Sequence, residues 1–491
     1  MYELSLNDNG FTFKELEKRI YKYACDEACN ALKIILESLD EKLLNERDSK
    51  VYRNKGRKRT CLRTIMGNVE YSRRIYEFKL EDGKKATKYL LDEYLGMDTI
   101  GTVSINLVET ILTNVTEVSF RKTSKNIKTM CNQEISAQGV WNIVQTLGEK
   151  IKELENRKIE LNDKGALKGE KEVPVLFQEQ DGVWLYLQGK DRPKGKNKKK
   201  ELKLAVSYTG WTLRPGSKKE YVVVDKTVCA SFSNSSHFKK LASATISEKY
   251  NVDEIQTRIL NGDGAKWIKA TCEDQDIHFQ LDPFHISQAI IRKVSEKKSQ
   301  KKLLKLFREG KVEDGLEMII KLMIENSKDE KSLKKLEDLY NYLISNRDGL
   351  IPYKQRDMDL PTAPEGLEYR QLGTMEHNIC DVLAQRMKGR KMSWSINGAD
   401  NLSKILSEKF SNRLFDTVDK IYRNIIPDDV INTVVAKLPL TVFEANKESN
   451  KCKVYKCTSA QIPYSGVAAT LGRKIIRDLC GLKSFSDISY S

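Results

Sequence analysis

Thiol and imidazole ligands are scarce in this sequence, and so are long apolar runs. Its ten cysteines form no C-x-x-C pair, and only four histidines are present to complete a zinc site. In a chain of 491 residues this favours buried or idle thiols in a reducing cytosol over disulfides or structural zinc. No window approaches 18 uncharged apolar residues, so we expect no membrane span and no membrane partner. The N-terminus carries acids and no apolar segment, which is not a signal-peptide pattern and predicts a cytoplasmic protein.

Positive charge is what the sequence has in excess. It contains 85 Lys and Arg against 69 Asp and Glu, for a net charge of +16. Forty per cent of the residues are hydrophobic, which is enough for folded cores, and the length predicts about three domains. The charge excess favours a polyanionic partner, and nucleic acid is the first candidate.

The N-terminal part changes pattern at residue 49. Apolar residues recur on a 3.6-residue period over 11–48, which predicts a helix. A basic run at 53–59 then leads into a segment rich in β-branched and aromatic residues around a Gly-Asn pair, which predicts a hairpin. Arg63, Arg73 and Arg74 on the strands of this hairpin suit phosphate contact, although a solvated face is an equal alternative.

Residues 104–152 have the pattern of helices joined by short turns, in the layout of a helix-turn-helix. Ser136 is placed to cap the second helix, which would present Gln138 and Asn142 to base edges in the major groove. A three-helix bundle without a DNA role has the same pattern. The charge of the chain leads us to favour DNA binding.

From residue 172 the pattern turns to strands. Three consecutive β runs are followed by helix, strand, helix and strand, in the order β-β-β-α-β-α-β. Three antiparallel strands followed by alternating helices and strands predict an α/β core with a ribonuclease-H-like mixed sheet and helices on both faces. Residues 286–350 are rich in Lys, Glu and Leu and have no strand pattern, so we expect an all-helical insertion into this core.

These changes of pattern divide the chain into seven predicted segments. They are an N-terminal helix (1–48), a basic β-hairpin segment (49–100), a helical DNA-binding region of helix-turn-helix type (101–165), the first part of the core (172–285), a helical insertion (286–370), a core helix (371–400) and a basic C-terminal region (401–491).

The turn between the first two core strands is strongly basic. Residues 190–203 hold eight Lys and Arg against two acids. We expect this tip to track DNA phosphates, which would make the affinity strongly salt-dependent. The residues predicted to contact DNA here are Lys194, Lys196, Lys198, Lys199 and Lys200.

Three acids fall where a mixed sheet would present them together. Asp181 lies in the first core strand, Asp263 ends the fourth within Asn-Gly-Asp-Gly, and Glu376 opens the late helix. The first and fourth strands are neighbours in this topology, so Asp181 and Asp263 are expected to converge. Each signal has a common structural alternative, namely a turn residue for the aspartates and a helix-dipole partner for the glutamate. Glu179 and Asp282 are the acids that compete most closely for these roles.

Clustered carboxylates of this kind suit divalent metal chemistry. Cleaving or joining a phosphodiester needs an activated water or 3′-hydroxyl and a stabilised leaving oxygen. Mg²⁺ prefers hard carboxylate oxygens from few residues, and two ions about 4 Å apart serve both ends of the reaction. We therefore predict that Asp181, Asp263 and Glu376 bind Mg²⁺ or Mn²⁺, as two ions.

Five separated motifs resemble the ISLre-type bacterial insertion-sequence transposases, which are distant relatives of the Mutator-like group. The motifs are QDGVWLYLQG, NGDGAKWIKA, LDPFHISQAI, GTMEHNICDVLAQRMKGRKMSWSINGADNL and IPYSGVAATLGRKIIRDLCGL. They occur in order along nearly the whole chain. The resemblance implies an Asp-Asp-Glu transposase whose ribonuclease-H-like core is interrupted by a helical insertion.

By position, the resemblance assigns the catalytic acids to Asp181, Asp263 and Glu376. The Asp-x-x-His pattern of Mutator-like enzymes matches Asp282 and His285, for which a site-adjacent role is favoured over a structural cap. His285 would orient the scissile phosphate or hydrogen-bond a ligand carboxylate. Trp394 is a candidate for stacking on DNA near the cut, with core packing an equal alternative.

The leading hypothesis is a transposase that cleaves double-stranded DNA at the inverted repeats of its element and joins the ends to target DNA. It would act on the bacterial nucleoid, as a homo-oligomer. The alternative is a catalytically inactive DNA-binding regulator derived from a transposase. No G-x-x-x-x-G-K-[ST] loop occurs, which argues against ATP-driven remodelling.

Overall fold

The computed structural model describes residues 12–97, 101–194, 198–272 and 277–422. Its N-terminal part is a long helix packed on a three-stranded antiparallel sheet with the strand order β1-β2-β3. Thr12 and Glu15 form a reciprocal capping box that begins the helix. The elements are α1 (Phe13–Glu46), β1 (Arg53–Arg63), β2 (Asn68–Lys79), β3 (Lys85–Lys88) and α2 (Leu90–Tyr94).

The predicted helix and hairpin are confirmed here, but the predicted phosphate contacts of Arg73 and Arg74 are wrong. Both arginines are buried, at 9% and 6% exposure. Arg74 donates to Asp40 of α1 at 2.7 Å, and Arg73 lies 2.7 Å from Asp92. These ion pairs attach β2 to α1 and α2, so neither guanidinium faces solvent.

Three helices follow, and each begins at a serine N-cap. Ser104, Ser119 and Ser136 accept a backbone N–H from the first turn of the helix that each precedes. The helices are α3 (Ile105–Glu117), α4 (Phe120–Cys131) and α5 (Ala137–Asp163). Their apolar faces belong to one hydrophobic cluster that also contains the central sheet. The region predicted as a DNA-binding unit therefore shares its core with the α/β part of the molecule.

A five-stranded mixed sheet forms the centre of the molecule, in the strand order β10-β9-β4-β5-β8. β4 pairs antiparallel with β5 and parallel with β9, β5 pairs antiparallel with β8, and β9 pairs parallel with β10. The elements of this region are β4 (Val175–Tyr186), β5 (Lys199–Tyr208), β6 (Gly210–Leu213), β7 (Tyr221–Val224), β8 (Thr227–Ser231), α6 (Ser235–Lys249), β9 (Thr257–Gly262), α7 (Lys266–Lys269) and β10 (Ile277–Leu281).

The element order agrees with the prediction, with two additional strands, β6 and β7. β6 begins at Gly210, at the end of the second predicted β run. The third predicted β run is two strands, because Asp225 adopts a left-handed backbone with φ 57° and breaks it. β7 pairs with β6 in a separate hairpin, and β8 alone joins the central sheet.

Both faces of the sheet are covered, as the alternation of β4 requires. Phe177 and Val183 join the cluster shared with α3, α4 and α5, whereas Leu176 belongs with Ile246 of α6 to a second cluster. This double coverage explains why residues 175–181 of β4 are buried without interruption.

An all-helical insertion follows β10, as predicted, and has its own apolar core. Its helices are α8 (Pro283–Lys293), α9 (Lys297–Arg308), α10 (Val312–Glu325) and α11 (Glu330–Ile344). The chain returns through an irregular segment to α12, which spans 375–387 and contains a π-helical stretch, Ile379–Ala384. The last described helices are α13 (Ile396–Phe410) and α14 (Leu414–Ile421).

Most of the predicted basic C-terminal region, residues 423–491, lies outside the described residues. Within the described ranges, no helix combines the length and the apolar character needed to cross a membrane.

Candidate active site

The candidate site begins on β4. Glu179 and Asp181 lie on the same face of this strand because side chains alternate along it. Asp181 is 8% exposed, and its Oδ1 accepts the backbone N–H of Gly182 at 2.6 Å. β9 runs parallel beside β4, with Gly262 opposite Gln180, so the chain leaves β9 next to Asp181. The predicted proximity of the first and fourth strands is confirmed.

Asp263 occupies the turn that follows β9. Its Oδ1 accepts the backbone N–H of Ala265 at 2.8 Å, and Gly264 adopts a left-handed backbone with φ 87°. A Cβ at Gly264 would lie 2.3 Å from Oδ1 of Asn346, just beyond α11. The hydroxyl of Tyr342 in α11 donates to the Asp263 carbonyl at 3.0 Å. The end of the insertion is therefore packed directly on this turn.

Glu376 lies in the first turn of α12, after the whole insertion. Asp181, His285 and Glu376 each offer one ligand atom within 4.8 Å of the others. The structure therefore brings together two of the three predicted acids. Asp263 is not a member of this tightest group and lies beside it with its Oδ1 engaged in the turn.

His285 enters the group from α8. Asp282 caps this helix by accepting the backbone N–H of Phe284 at 3.1 Å, which sets His285 on the first turns. The His285 Nε2 lies 3.4 Å from Oδ2 of Asp181 and 3.9 Å from Oδ2 of Asp282. This geometry matches the predicted contact of His285 with a ligand carboxylate, and Asp282 is a helix cap as well as a neighbour of the site.

Negative charge is concentrated at this point of the molecule. Burial raises the pKa of Asp263. The hydrogen bond from the Ala265 N–H opposes this rise, and the charge of Asp181 adds to it. Burial likewise raises the pKa of Asp282. Burial alone would lower the pKa of His285, but its hydrogen bond with Asp181 and the surrounding carboxylates raise it. Such a field favours a cation in the space between these groups.

The side chains fit a divalent metal ion bound through oxygen. Asp181 and Glu376 supply carboxylate oxygens, which Mg²⁺ and Mn²⁺ prefer. Asp263 is close enough to feel the charge of Asp181 but lies outside this group. An imidazole is a poorer ligand for these ions. His285 fits better as the hydrogen-bond partner that orients Asp181, as outer residues do around many metal sites.

Glu179 is the residue whose role the sequence did not resolve. It is fully buried and accepts hydrogen bonds from the Tyr208 hydroxyl at 2.5 Å and from Nδ2 of Asn261 at 2.9 Å. It also accepts the backbone N–H of Thr374 at 3.3 Å and the Thr374 hydroxyl. Burial raises the pKa of Glu179. Its position two residues before Asp181 indicated that it lies near the site. Its role could not be predicted, because its hydrogen-bond partners are distant in the sequence.

The predicted DNA-contacting lysines differ in exposure. Lys194 and Lys198 are exposed at the turn between β4 and β5, and Lys196 lies outside the described residues. Lys199 and Lys200 are half-buried, with their ammonium groups 4.7 Å and 5.6 Å from the centres of aromatic rings.

Two of the other predicted contacts are exposed and one is buried. Gln138 and Asn142 lie on the surface of α5, where Nε2 of Gln138 donates to Oδ1 of Asn142 at 2.9 Å. Trp394 is 7% exposed, donates its indole N–H to the Met387 carbonyl at 2.9 Å and packs edge-on against Phe120. The prediction that Trp394 stacks on DNA is therefore wrong, because its ring is in the core.

Comparison with known proteins shows one family across most of the chain. The model of an uncharacterised protein family, UPF0236, matches residues 6–423. A UPF0236 protein of Caldanaerobacter subterraneus subsp. tengcongensis is 26% identical over 416 residues, covering 81% of this chain and 78% of the relative, and its name joins eleven locus designations. The "UPF0236 protein in vanSb 3'region" of Streptococcus gallolyticus is 24% identical over 422 residues, covering 84% of this chain and 85% of the relative. Because the family match spans most of its length, this protein belongs to the UPF0236 family.

Proposed function

We propose that the protein is an Asp-Asp-Glu transposase that cleaves DNA at the ends of its element and joins them to target DNA. The observation that carries the proposal is the convergence of Asp181, His285 and Glu376, whose ligand atoms lie within 4.8 Å of one another. These residues come from the first core strand, from the helix after the last strand and from a helix beyond the insertion. A purely structural acid needs no such convergence.

The sheet supports the same proposal. Its first strand is central, the second and third strands run antiparallel on one side, and the fourth and fifth run parallel on the other. We propose that this is a ribonuclease-H-like sheet, in which the first and fourth strands carry the first two acids. Asp181 and Asp263 stand on those two strands or immediately after them.

Each residue has a defined part in the proposed reaction. Asp181 and Glu376 hold Mg²⁺ or Mn²⁺ with Asp263 beside them, and a pair of ions when bound supplies an activated nucleophile and a stabilised leaving oxygen. His285 orients the Asp181 carboxylate through its Nε2. The packing of α11 on the Asp263 turn fixes the second acid relative to the first.

The relatives add an independent argument. One Caldanaerobacter relative carries eleven locus designations of a single genome in its name. Many copies in one genome are what an element that moves itself produces. The resemblance of five motifs to ISLre-type transposases supports the same activity.

The proposed partner is double-stranded DNA, both at the element's inverted repeats and at the target. The exposed Lys194 and Lys198 contribute to phosphate contact, and Gln138 and Asn142 stay available to read bases. Joining two ends to one target favours a homo-oligomer.

The test is metal-dependent cleavage of a duplex that contains the inverted repeats flanking the gene. Asp181→Asn, Asp263→Asn and Glu376→Gln should each reduce Mg²⁺-dependent nicking by at least about 100-fold, while DNA binding in a gel-shift assay stays within about twofold. Asp381→Asn, on the same helix as Glu376, is the matched control and should nick normally.

Other outcomes select other functions. A wild-type protein that binds the duplex but never nicks it would be the catalytically inactive regulator. Nicking without joining of a pre-cut end to target DNA would indicate a nuclease. Normal nicking by Glu376→Gln would remove this residue from the site.

A further inference from the structure

Glu179 connects the central sheet to the segment that returns from the insertion. Its Oε1 accepts the Tyr208 hydroxyl from β5 and both the backbone N–H and the hydroxyl of Thr374. Its Oε2 accepts Nδ2 of Asn261 from β9. One buried carboxylate therefore joins β4, β5, β9 and the first residues after the insertion.

The returning segment is held at Thr374 from two sides. The amide of Asn378 donates to the carbonyl of Thr374 at 3.1 Å and to its hydroxyl at 3.2 Å. Thr374 is thus held by the sheet on one side and by the first turn of α12 on the other.

The position of Thr374 determines where Glu376 lies. Only Met375, which is 1% exposed and part of the main core, separates the two residues. Glu376 therefore has little freedom once Thr374 is fixed on Glu179. Asp181 stands two residues after Glu179 on the same strand face, so one short stretch of β4 provides both a carboxylate of the site and the anchor for its partner.

We propose that Glu179 is a positioning residue that sets Glu376 opposite Asp181 by holding Thr374. The inference rests on the proposed function, since it assumes that Asp181 and Glu376 share a divalent ion. It assigns no contact with metal or DNA to Glu179. It explains why a carboxylate is buried next to the site and surrounded by hydrogen-bond donors on three other segments.

The test compares variants that each remove one of the two hydroxyl groups donating to Oε1 of Glu179. Thr374→Val deletes the donor on the returning segment, and Tyr208→Phe deletes a donor on β5 that does not lead to Glu376. Thr374→Ser keeps the hydroxyl. Binding of Mn²⁺ to the full-length protein is measured by electron paramagnetic resonance, with thermal unfolding of each variant followed in parallel.

We expect Thr374→Val to weaken Mn²⁺ binding by about 10-fold or more, the range seen when residues that orient metal ligands are changed. Thr374→Ser and Tyr208→Phe should stay within about threefold of wild type. A double variant, Glu179→Gln with Thr374→Val, should bind no more weakly than the weaker single variant, because both changes break the same connection.

Three results would overturn the inference, and they are distinguishable. Unchanged Mn²⁺ binding by Thr374→Val removes Glu179 from the positioning of Glu376 and leaves the proposed function intact. Equal weakening by Thr374→Val and Tyr208→Phe, in proportion to lost thermal stability, indicates a general structural role. If wild type and Glu376→Gln bind Mn²⁺ equally, the proposed metal site itself fails, and the inference falls with it.

Discussion

Gly264 is the residue at which the insertion and the candidate site meet. Its backbone is left-handed, and the space that a Cβ would fill is occupied by the side chain of Asn346. Asn346 is 4% exposed and donates to the Tyr342 carbonyl at 2.8 Å, so it has little room to move. The turn that carries Asp263 therefore depends on a residue without a side chain.

Gly264→Ala should lower the free energy of unfolding for two reasons, backbone strain and overlap with a neighbouring side chain. The left-handed backbone costs a non-glycine residue about 1–2 kcal/mol, and the overlap with Asn346 adds about 1–3 kcal/mol. Gly366→Ala is the matched control, because Gly366 has φ 80° and nothing within 4 Å of a Cβ. Urea denaturation of both variants separates the two costs, and equal losses would show that Asn346 moves aside freely.

Single side chains were the least predictable part of the site. Asp181 and Asp263 follow from the pairing of neighbouring strands, which the order of elements indicated. The exact position of Asp263 relative to the other acids depends on its hydrogen bond to Ala265, which no pattern in the sequence expresses. Trp394 shows the same limit, because an isolated tryptophan is exposed or buried according to partners such as Phe120 that are far away in the sequence.

Among the helices, α6 shares one carboxylate, that of Glu248, with cations from two neighbouring segments. Glu248 lies 2.6 Å from Nζ of Lys158 in α5 and also accepts a hydrogen bond from Arg413, just before α14. Burial alone would raise the pKa of Glu248, but the two cations outweigh burial and lower it. Because the folded protein holds this group more acidic than the unfolded chain does, its charge stabilises the fold.

Glu248→Gln should therefore destabilise the protein in a pH-dependent manner. The free energy of unfolding should fall by about 1 kcal/mol at pH 7, a value reduced for partial exposure of the pair. The gap from wild type should persist above the ordinary pKa of 4.5 and shrink as the pH falls through the lower folded value. Glu220→Gln, which breaks an exposed pair with Arg214, should change little at any pH. A constant gap down to pH 3 would contradict this account.

Most elements were predictable because their periodicities are strong, whereas two irregular features were not. In the run that contains β7 and β8, only the charged pair Asp225-Lys226 separates two β-branched stretches, and the left-handed backbone of Asp225 interrupts the strand there. The π-helical stretch in α12 has an ordinary helical spacing of apolar residues. Both features depend on packing against other parts of the chain rather than on local preference.

Exposed positive charge is found on several separate turns of the described part of the chain. A net charge of +16 gives a general attraction for polyanions, but exposed lysines near the sheet contribute to it unequally. Lys194 and Lys198 stand at the turn between the two strands adjoining the candidate site. Lys218 and Lys219 are as exposed but belong to the separate hairpin of β6 and β7.

The double variant Lys194→Gln, Lys198→Gln should flatten the dependence of DNA affinity on salt. Each lost phosphate contact lowers the slope of log affinity against log salt concentration by about 0.9, so a decrease of about two is expected. The measurement is fluorescence anisotropy with a labelled duplex between 50 and 200 mM salt, concentrations at which such contacts are felt. Lys218→Gln, Lys219→Gln should leave the slope near wild type, and equal slopes for both pairs would contradict a specific role for the turn.

The insertion separates the third candidate acid from the first two along the chain. The chain passes Asp181 and Asp263, builds the four helices of the insertion, and only then reaches Thr374 and Glu376. On the proposed function, a nascent polypeptide still attached to the ribosome carries two of its three acids for the time needed to synthesise about a hundred further residues. A prematurely terminated product never acquires the third. On the proposed function, an incomplete chain therefore cannot assemble the pair of carboxylates, Asp181 and Glu376, that holds the metal ion.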